Sequence, residues 1–218
     1  MTARVDTVPA SLKPLLGMYG HSIGFGLYAL YAIQRPTIRI DVAGSEQLQP
    51  DRPYIFALWH EAVLLALQWS VPRFPWPLNT CPQASMQHPL WYMKPIHVVL
   101  GYIGVERIVL GSTGYHGREA AGRLVEYLRA GYSTVLSPDG PAGPRRVLRH
   151  GILHLAAESG LAIVPLRLHA WPHVVLPTWD RKRIAVPFSR IRVEIGAPIV
   201  VSAEAPGSAE EDLIRELG

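Results

Sequence analysis

Residues 105–140 read VERIVLGSTGYHGREAAGRLVEYLRAGYSTVLSPDG, and the order of patterns in this stretch decides the fold. VERIVL (105–110) is short and rich in β-branched residues, as a strand requires. From about Arg118 to Ala130, Ala121, Leu124, Val125 and Leu128 fall on one helical face, and Gly131 supplies the stop. STVLS (133–137) is again a strand, and the segment from Pro138 to Pro144 is a turn-rich loop. A strand, a helix and a second strand in this order make a crossover between parallel strands.

The same alternation extends both ways. Upstream, TIRIDV (37–42) alternates as a strand. YIFALW (54–59) is apolar throughout, as a strand covered on both faces would be. EAVLLALQWS (61–70) reads as a helix, LNTCPQA (78–84) as a short strand, and WYMKPIHVVLGYI (91–103) as a helix started or interrupted at Pro95. Downstream come a helix in GILHLAAES (151–159), strands in AIVPLRLHA (162–170) and IRVEIG (191–196), and a tail helix that Ser208 and Glu211 open as a capping box. The expected fold class is α/β, with a mostly parallel central sheet flanked by helices over residues 37–218. Residues 1–36 are expected to form an apolar, membrane-associating helix before it.

That helix is carried by PLLGMYGHSIGFGLYALYAI (14–33), which has no formal charge between Lys13 and Arg35. Twenty such residues match a hydrocarbon core of about 30 Å, but Gly17, Gly20, Gly24 and Gly26 weaken a spanning helix. The reading favoured is a helix lying in the interface, with Tyr19, Tyr28 and Tyr31 near the headgroups; the alternative is a helix packed on the domain. The length, 218 residues, suits one well-buried domain, and the charged share is 17%, below the usual figure of about 25%. A formal net charge of +4 favours anionic lipid or phosphate only weakly and does not point to nucleic acid. Cys81 is the one cysteine, so no intrachain disulfide forms, which suits a reducing compartment.

In parallel sheets, ligands bind beyond the carboxyl ends of the strands. His60 follows YIFALW directly, and Ser137 to Gly140 follow STVL. A histidine there can act as a general base near neutral pH. In SPDGPAGPRR the glycines let backbone N–H groups approach an anion, the prolines stiffen the loop, and Arg145 and Arg146 can grip phosphate. Taken alone the loop reads more readily as a surface turn with solvated arginines; its combination with His60 favours a site.

The succession YIFALWH, GVERIVLGST, TVLSPDGPAGPRR and AIVPLRL resembles the lysophospholipid acyltransferase-like superfamily, in particular a bacterial branch with Trp-His and Pro-Asp-Gly-Pro motifs. The resemblance implies transfer of an acyl chain from acyl-CoA or acyl carrier protein to the hydroxyl of a lysophospholipid or related lipid. It implies work at the cytoplasmic face of the inner membrane, with no cofactor or metal. His60 would take the hydroxyl proton, and backbone N–H groups would hold the tetrahedral oxyanion. Asp139 would stand where the family commonly has Glu, Gly140 would match the loop glycine, and Ser112 and Thr113 would help hold an acceptor phosphate.

Two positions depart from the family pattern. The acid expected five residues after the histidine is Leu65, which leaves Asp139 as the candidate to orient His60. The phosphate-binding arginine at the end of the middle strand corresponds to Leu110, and Arg107 lies on the opposite strand face. A non-catalytic lipid-binding protein on the same fold is therefore the competing class, and a hydrolase using Ser137 is a further variant. His150 and His154 have metal-ligand spacing without a third ligand, and Arg181-Lys182-Arg183 reads as a solvated loop. The tryptophans read as core, with Trp69 and Trp76 as alternatives for lipid contact.

Overall fold

The apolar stretch at 54–59 is buried throughout and contributes the short central strand β2 (Ile55–Ala57), with neighbours on both sides, in the computed structural model. The structure describes residues 4–75, 78, 81–112, 114–201 and 206–218. β2 pairs in parallel with β5 (Thr134–Leu136) on one side and β6 (Ile163–Val175) on the other. β6 turns back as an antiparallel hairpin with β7 (Arg183–Ile195), and β7 pairs in parallel with β1 (Arg39–Ala43). The order is β1-β7-β6-β2-β5. β3 (Gln83–Gln87) and β4 (Val105–Leu110) form a separate parallel pair, joined to the start of β5 by a bridge from Gln83 to Ser133. Among the described strands β6–β7 is thus the one antiparallel pairing, and the sheet is mostly parallel, as expected.

Alternate side chains of the apolar strands feed two cores. On one face Phe56, Leu58, Val164 and Leu166 meet α1 (Lys13–Gln34), α2 (Val63–Ser70) and α3 (Lys94–Ile103). On the other, Ile55, Ala57 and Ile163 meet α4 (Gly117–Arg129), α5 (Gly151–Ser159) and α6 (Pro206–Leu217). The α4 stripe read from the sequence is the one that packs: Leu124, Val125 and Leu128 are buried, each contributing about 1.5–3 kcal/mol. Leu65, at the position where an acid would orient the histidine, is fully buried in the first core.

Two glycines of α1 serve close packing. A Cβ on Gly24 would stand 2.7 Å from the Pro95 carbonyl, and one on Gly20 would run into the Lys94 side chain, so α1 sits directly on α3. Tyr31 is buried in the core and Tyr28 Oη–H donates to the Pro72 carbonyl, so these two rings do not stand free at a headgroup level. The opposite face of α1 leaves Leu15, Met18, Phe25, Leu30 and Ile33 exposed. No helix among the described residues is long and apolar enough to cross a membrane.

The structure corrects several boundaries. β6 and β7 extend far beyond the two strands expected from AIVPLRLHA and IRVEIG, making a long hairpin of 13-residue strands. Ser208 lies inside α6, which already begins at Pro206, so it does not precede the helix as a cap. Trp69 is buried in the core, and Trp76 is outside the described residues.

Candidate active site

The chain leaves β2 through Leu58 and Trp59 and enters a single 3-10 turn, His60–Ala62, before α2. Trp59 is extended, so the turn throws His60 outward at the carboxyl end of the strand while Glu61 folds inward and is buried. Asp139 reaches the same place from the loop after β5. It is fully buried, and both of its carboxylate oxygens accept backbone hydrogen bonds: Oδ1 from His60 N–H and Oδ2 from Arg146 N–H, each at 2.9 Å. The two motifs do converge. However, Asp139 binds the backbone of His60 and not its ring, so the expectation that it orients the imidazole is not met. A short carboxylate that accepts one amide on each oxygen braces the site, and neither oxygen bonds the ring.

The ring has another partner, which sequence reasoning missed. His60 Nδ1 lies 2.5 Å from Oδ2 of Asp180, a fully buried residue in the tip of the β6–β7 hairpin. Burial raises the Asp180 carboxyl pKa, but hydrogen bonds from Lys182, Thr178 and His60 outweigh it and hold the group at about 2. An ionised Asp180 accepts only, so the proton between them belongs on Nδ1 and the lone pair is left on Nε2. Trp179 stacks on the imidazole at 5.2 Å between centroids and 29° between planes. On the other side lies Gly140, where a Cβ would sit 2.6 Å from His60 Cδ2 and 3.2 Å from Nε2. The ring is thus held between an indole and a bare backbone.

Gly140→Ala should leave the fold intact and lower turnover by about 10²-fold, because the methyl must displace the ring by the order of an ångström. Steady-state kinetics beside a melting curve separate the two effects; an unchanged rate would show that the ring position is immaterial.

Glu61 gathers three arginines. Arg145 Nε–H donates to Oε2 at 2.6 Å, with a second contact through its terminal nitrogen. Arg146 and Arg183 donate to Oε1 at 2.8 and 2.7 Å. Burial raises the Glu61 pKa, but hydrogen bonding with Arg146, the charge of Arg183 and the remaining arginine contacts lower it further than burial raises it. One carboxylate cannot neutralise three guanidiniums, so the arginine cluster keeps a positive excess, which Asp139 and Asp180 beside His60 offset in part. All three arginines stay partly exposed and keep N–H groups for an anion. Arg145 and Arg146 were expected here; Arg183, from β7, and the Glu61 anchor were not.

On the Gly140 side opens a groove of about 660 Å³. Met86, Ala121, Leu136, Ile152 and Leu155 give it apolar walls, and Ser137 and Arg149 are polar members. Its size is that of a small-molecule site. The Ser137 hydroxyl makes no hydrogen bond to His60, which removes the geometric basis for a serine hydrolase. Gly140 and Gly143 donate their N–H groups back into the loop, to the Ser137 and Asp139 carbonyls at 3.1 Å each, so neither amide is free for an oxyanion. Ser112 is buried with its hydroxyl unpartnered, and it does not line the groove. Thr113 lies outside the described residues. Among the described residues no group of three or more His, Cys, Asp or Glu is placed to hold a metal; His150 and His154 pair with Glu210 and Glu158.

No family model matches the chain. It is 25% identical over 177 residues to the uncharacterised protein RP090 of Rickettsia prowazekii (strain Madrid E), covering 81% of this chain and 78% of that one. Its structure is similar to the crystal structure of the 1-acyl-sn-glycerophosphate (LPA) acyltransferase PlsC from Thermotoga maritima. The TM-score is 0.55 at 16% identity, covering 90% of this chain and 76% of that one. At that identity the likeness is one of fold.

Proposed function

We propose that the chain transfers an acyl group from a thioester, acyl-CoA or acyl carrier protein, to the hydroxyl of a lysophospholipid or related lipid. The observation that carries this reading is the His60–Asp180 contact. A carboxylate on Nδ1 fixes the tautomer and leaves Nε2 to accept a proton, beside a glycine that admits a reacting atom. The acceptor hydroxyl loses its proton to Nε2 as its oxygen attacks the thioester carbonyl. Collapse of the tetrahedral intermediate expels the thiolate, which the protonated imidazole neutralises. The acyl chain occupies the apolar groove, and Arg145, Arg146 and Arg183 take the anionic part of a substrate.

The fold shared with an LPA acyltransferase supports the class of reaction. The loss of the acid at Leu65 does not argue for a binding protein, because Asp180 fills the same physical role from another part of the chain. Purified protein given labelled acyl-CoA or acyl carrier protein and a panel of lysolipids is expected to acylate at least one of them. Stoichiometric lipid binding with no transfer from either donor would instead make this a lipid-binding protein.

A further inference from the structure

The β6–β7 hairpin does more than deliver Asp180. Between the pairs Trp171–Arg190 and His173–Ala185 the register slips, so that Pro172 alone faces residues 186–189. Within this bulge Phe188 has φ +67°, the left-handed region that a bulky side chain avoids, and the residue is 83% exposed. The bulge is pinned from both sides. Ser189 Oγ–H donates to the Pro172 carbonyl at 2.5 Å, and Phe188 N–H donates to Thr37 Oγ1 at 3.4 Å. Trp171, at its border, is 78% exposed, and Val174 and Val175 follow it in the open. Backbone strain that holds an aromatic ring out in water calls for a functional reason.

The charges along the arm point to the reason. Residues 171–190 contain Arg181, Lys182, Arg183 and Arg190 and one acid, the buried Asp180; Lys182 pairs with that Asp180, Arg183 with the buried Glu61, and Arg190 with the exposed Asp41 of β1. Exposed aromatic tips beside basic residues, with Arg190 in a solvent-exposed and therefore weak pair with Asp41 of β1, suit the boundary of an anionic bilayer. The Thr37 contact sets Phe188 beside the end of α1, where Leu30 and Ile33 are exposed too. These tips come from separate segments and share no common pocket, which fits a fluid hydrocarbon boundary better than the fixed relief of a folded acidic protein.

We infer that the β6–β7 arm docks on an anionic lipid surface, with Phe188 and Trp171 entering the headgroup region and Arg181 and Arg190 flanking them. Because the tip of this hairpin carries Trp179 and Asp180 onto His60, docking presents the site to the lipid it acts on. The inference builds on the lipid acyl-transfer reading, but vesicle binding is scored without turnover, so either can fail alone.

The test is sedimentation of the full chain with neutral phosphatidylcholine vesicles and with vesicles containing phosphatidylglycerol. The W171S/F188S double variant is expected to bind the anionic vesicles at least tenfold more weakly, with transfer to a monomerically dispersed acceptor unchanged. R181Q/R190Q should weaken binding several-fold and flatten its salt dependence. Phe188→Gly, free of the left-handed penalty, should bind more weakly without any fall in melting temperature. Equal binding of W171S/F188S and the unaltered chain would overturn the inference. So would a loss confined to an L30S/I33S variant, or a concentration-dependent dimer, seen without vesicles, that W171S/F188S abolishes.

Discussion

His60→Ala and Asp180→Asn should each lower kcat by about 10³–10⁴-fold, and the double variant should be no worse than either alone. His60 is the proposed base. Asp180 is a positioning residue that touches the imidazole at 2.5 Å and holds the proton on Nδ1. An amide in its place can donate to Nδ1, which moves the proton to Nε2 and leaves nothing to accept the acceptor's hydroxyl proton. Two residues that act as one unit are not additive, so the double variant is the informative one. The readout is steady-state kinetics on wild type and all three variants: kcat falls while KM changes little. If Asp180→Asn moved only KM or the melting temperature, its role would be confined to anchoring the hairpin loop.

The second large effect is on stability. Glu61→Gln is expected to destabilise the chain by about 3 kcal/mol. That is the lower end for one broken partner of a buried pair, because the three arginines keep contact with water. In a chain of this length the change lowers the melting temperature by roughly 6–12 °C. The pH dependence follows from the sign of the shift. The folded Glu61 carboxyl lies below its usual 4.5, so its contribution is present above 4.5 and is lost as pH falls through the folded value. Thermal unfolding from pH 7 to pH 3 should therefore show the two proteins converging in acid. Adding Arg183→Gln to Glu61→Gln should restore part of the loss by removing one uncompensated guanidinium. No gain from that second change would place the cost of Glu61→Gln elsewhere.

How much was legible in the sequence followed from the range of each interaction. The strand–helix–strand order at 105–140 was readable because its periodicity is local, and the buried face of α4 is the stripe that pattern gives. His60 and the loop of Asp139 were readable because strand ends in a parallel sheet converge. What each side chain does there was not readable. Asp139 and Asp180 are both short, buried acids, and only the fold assigns one to backbone amides and the other to the ring. The hairpin arm was hidden because Pro172, Pro177 and Pro187 interrupt the alternation that marks a strand, and Arg181-Lys182-Arg183 read as a solvated loop. The helix expected from Glu61 begins only at Val63, and Glu61 lies in a 3-10 turn that points it inward. A signal was present nonetheless: an acid one residue from a candidate base, with two arginines in the motif loop.

The contact between His60 and Asp180 joins residues 120 apart in the chain. On a ribosome the histidine and its loop emerge well before the hairpin, so the growing chain holds a base with no fixed tautomer until the last long strand pairs. The ring therefore gains its partner only when β7 closes on β6, the same pairing that brings Ile191, Val193 and Ile195 into the first core. Any turnover that depends on the His60–Asp180 contact would therefore double as a report that the C-terminal third has folded.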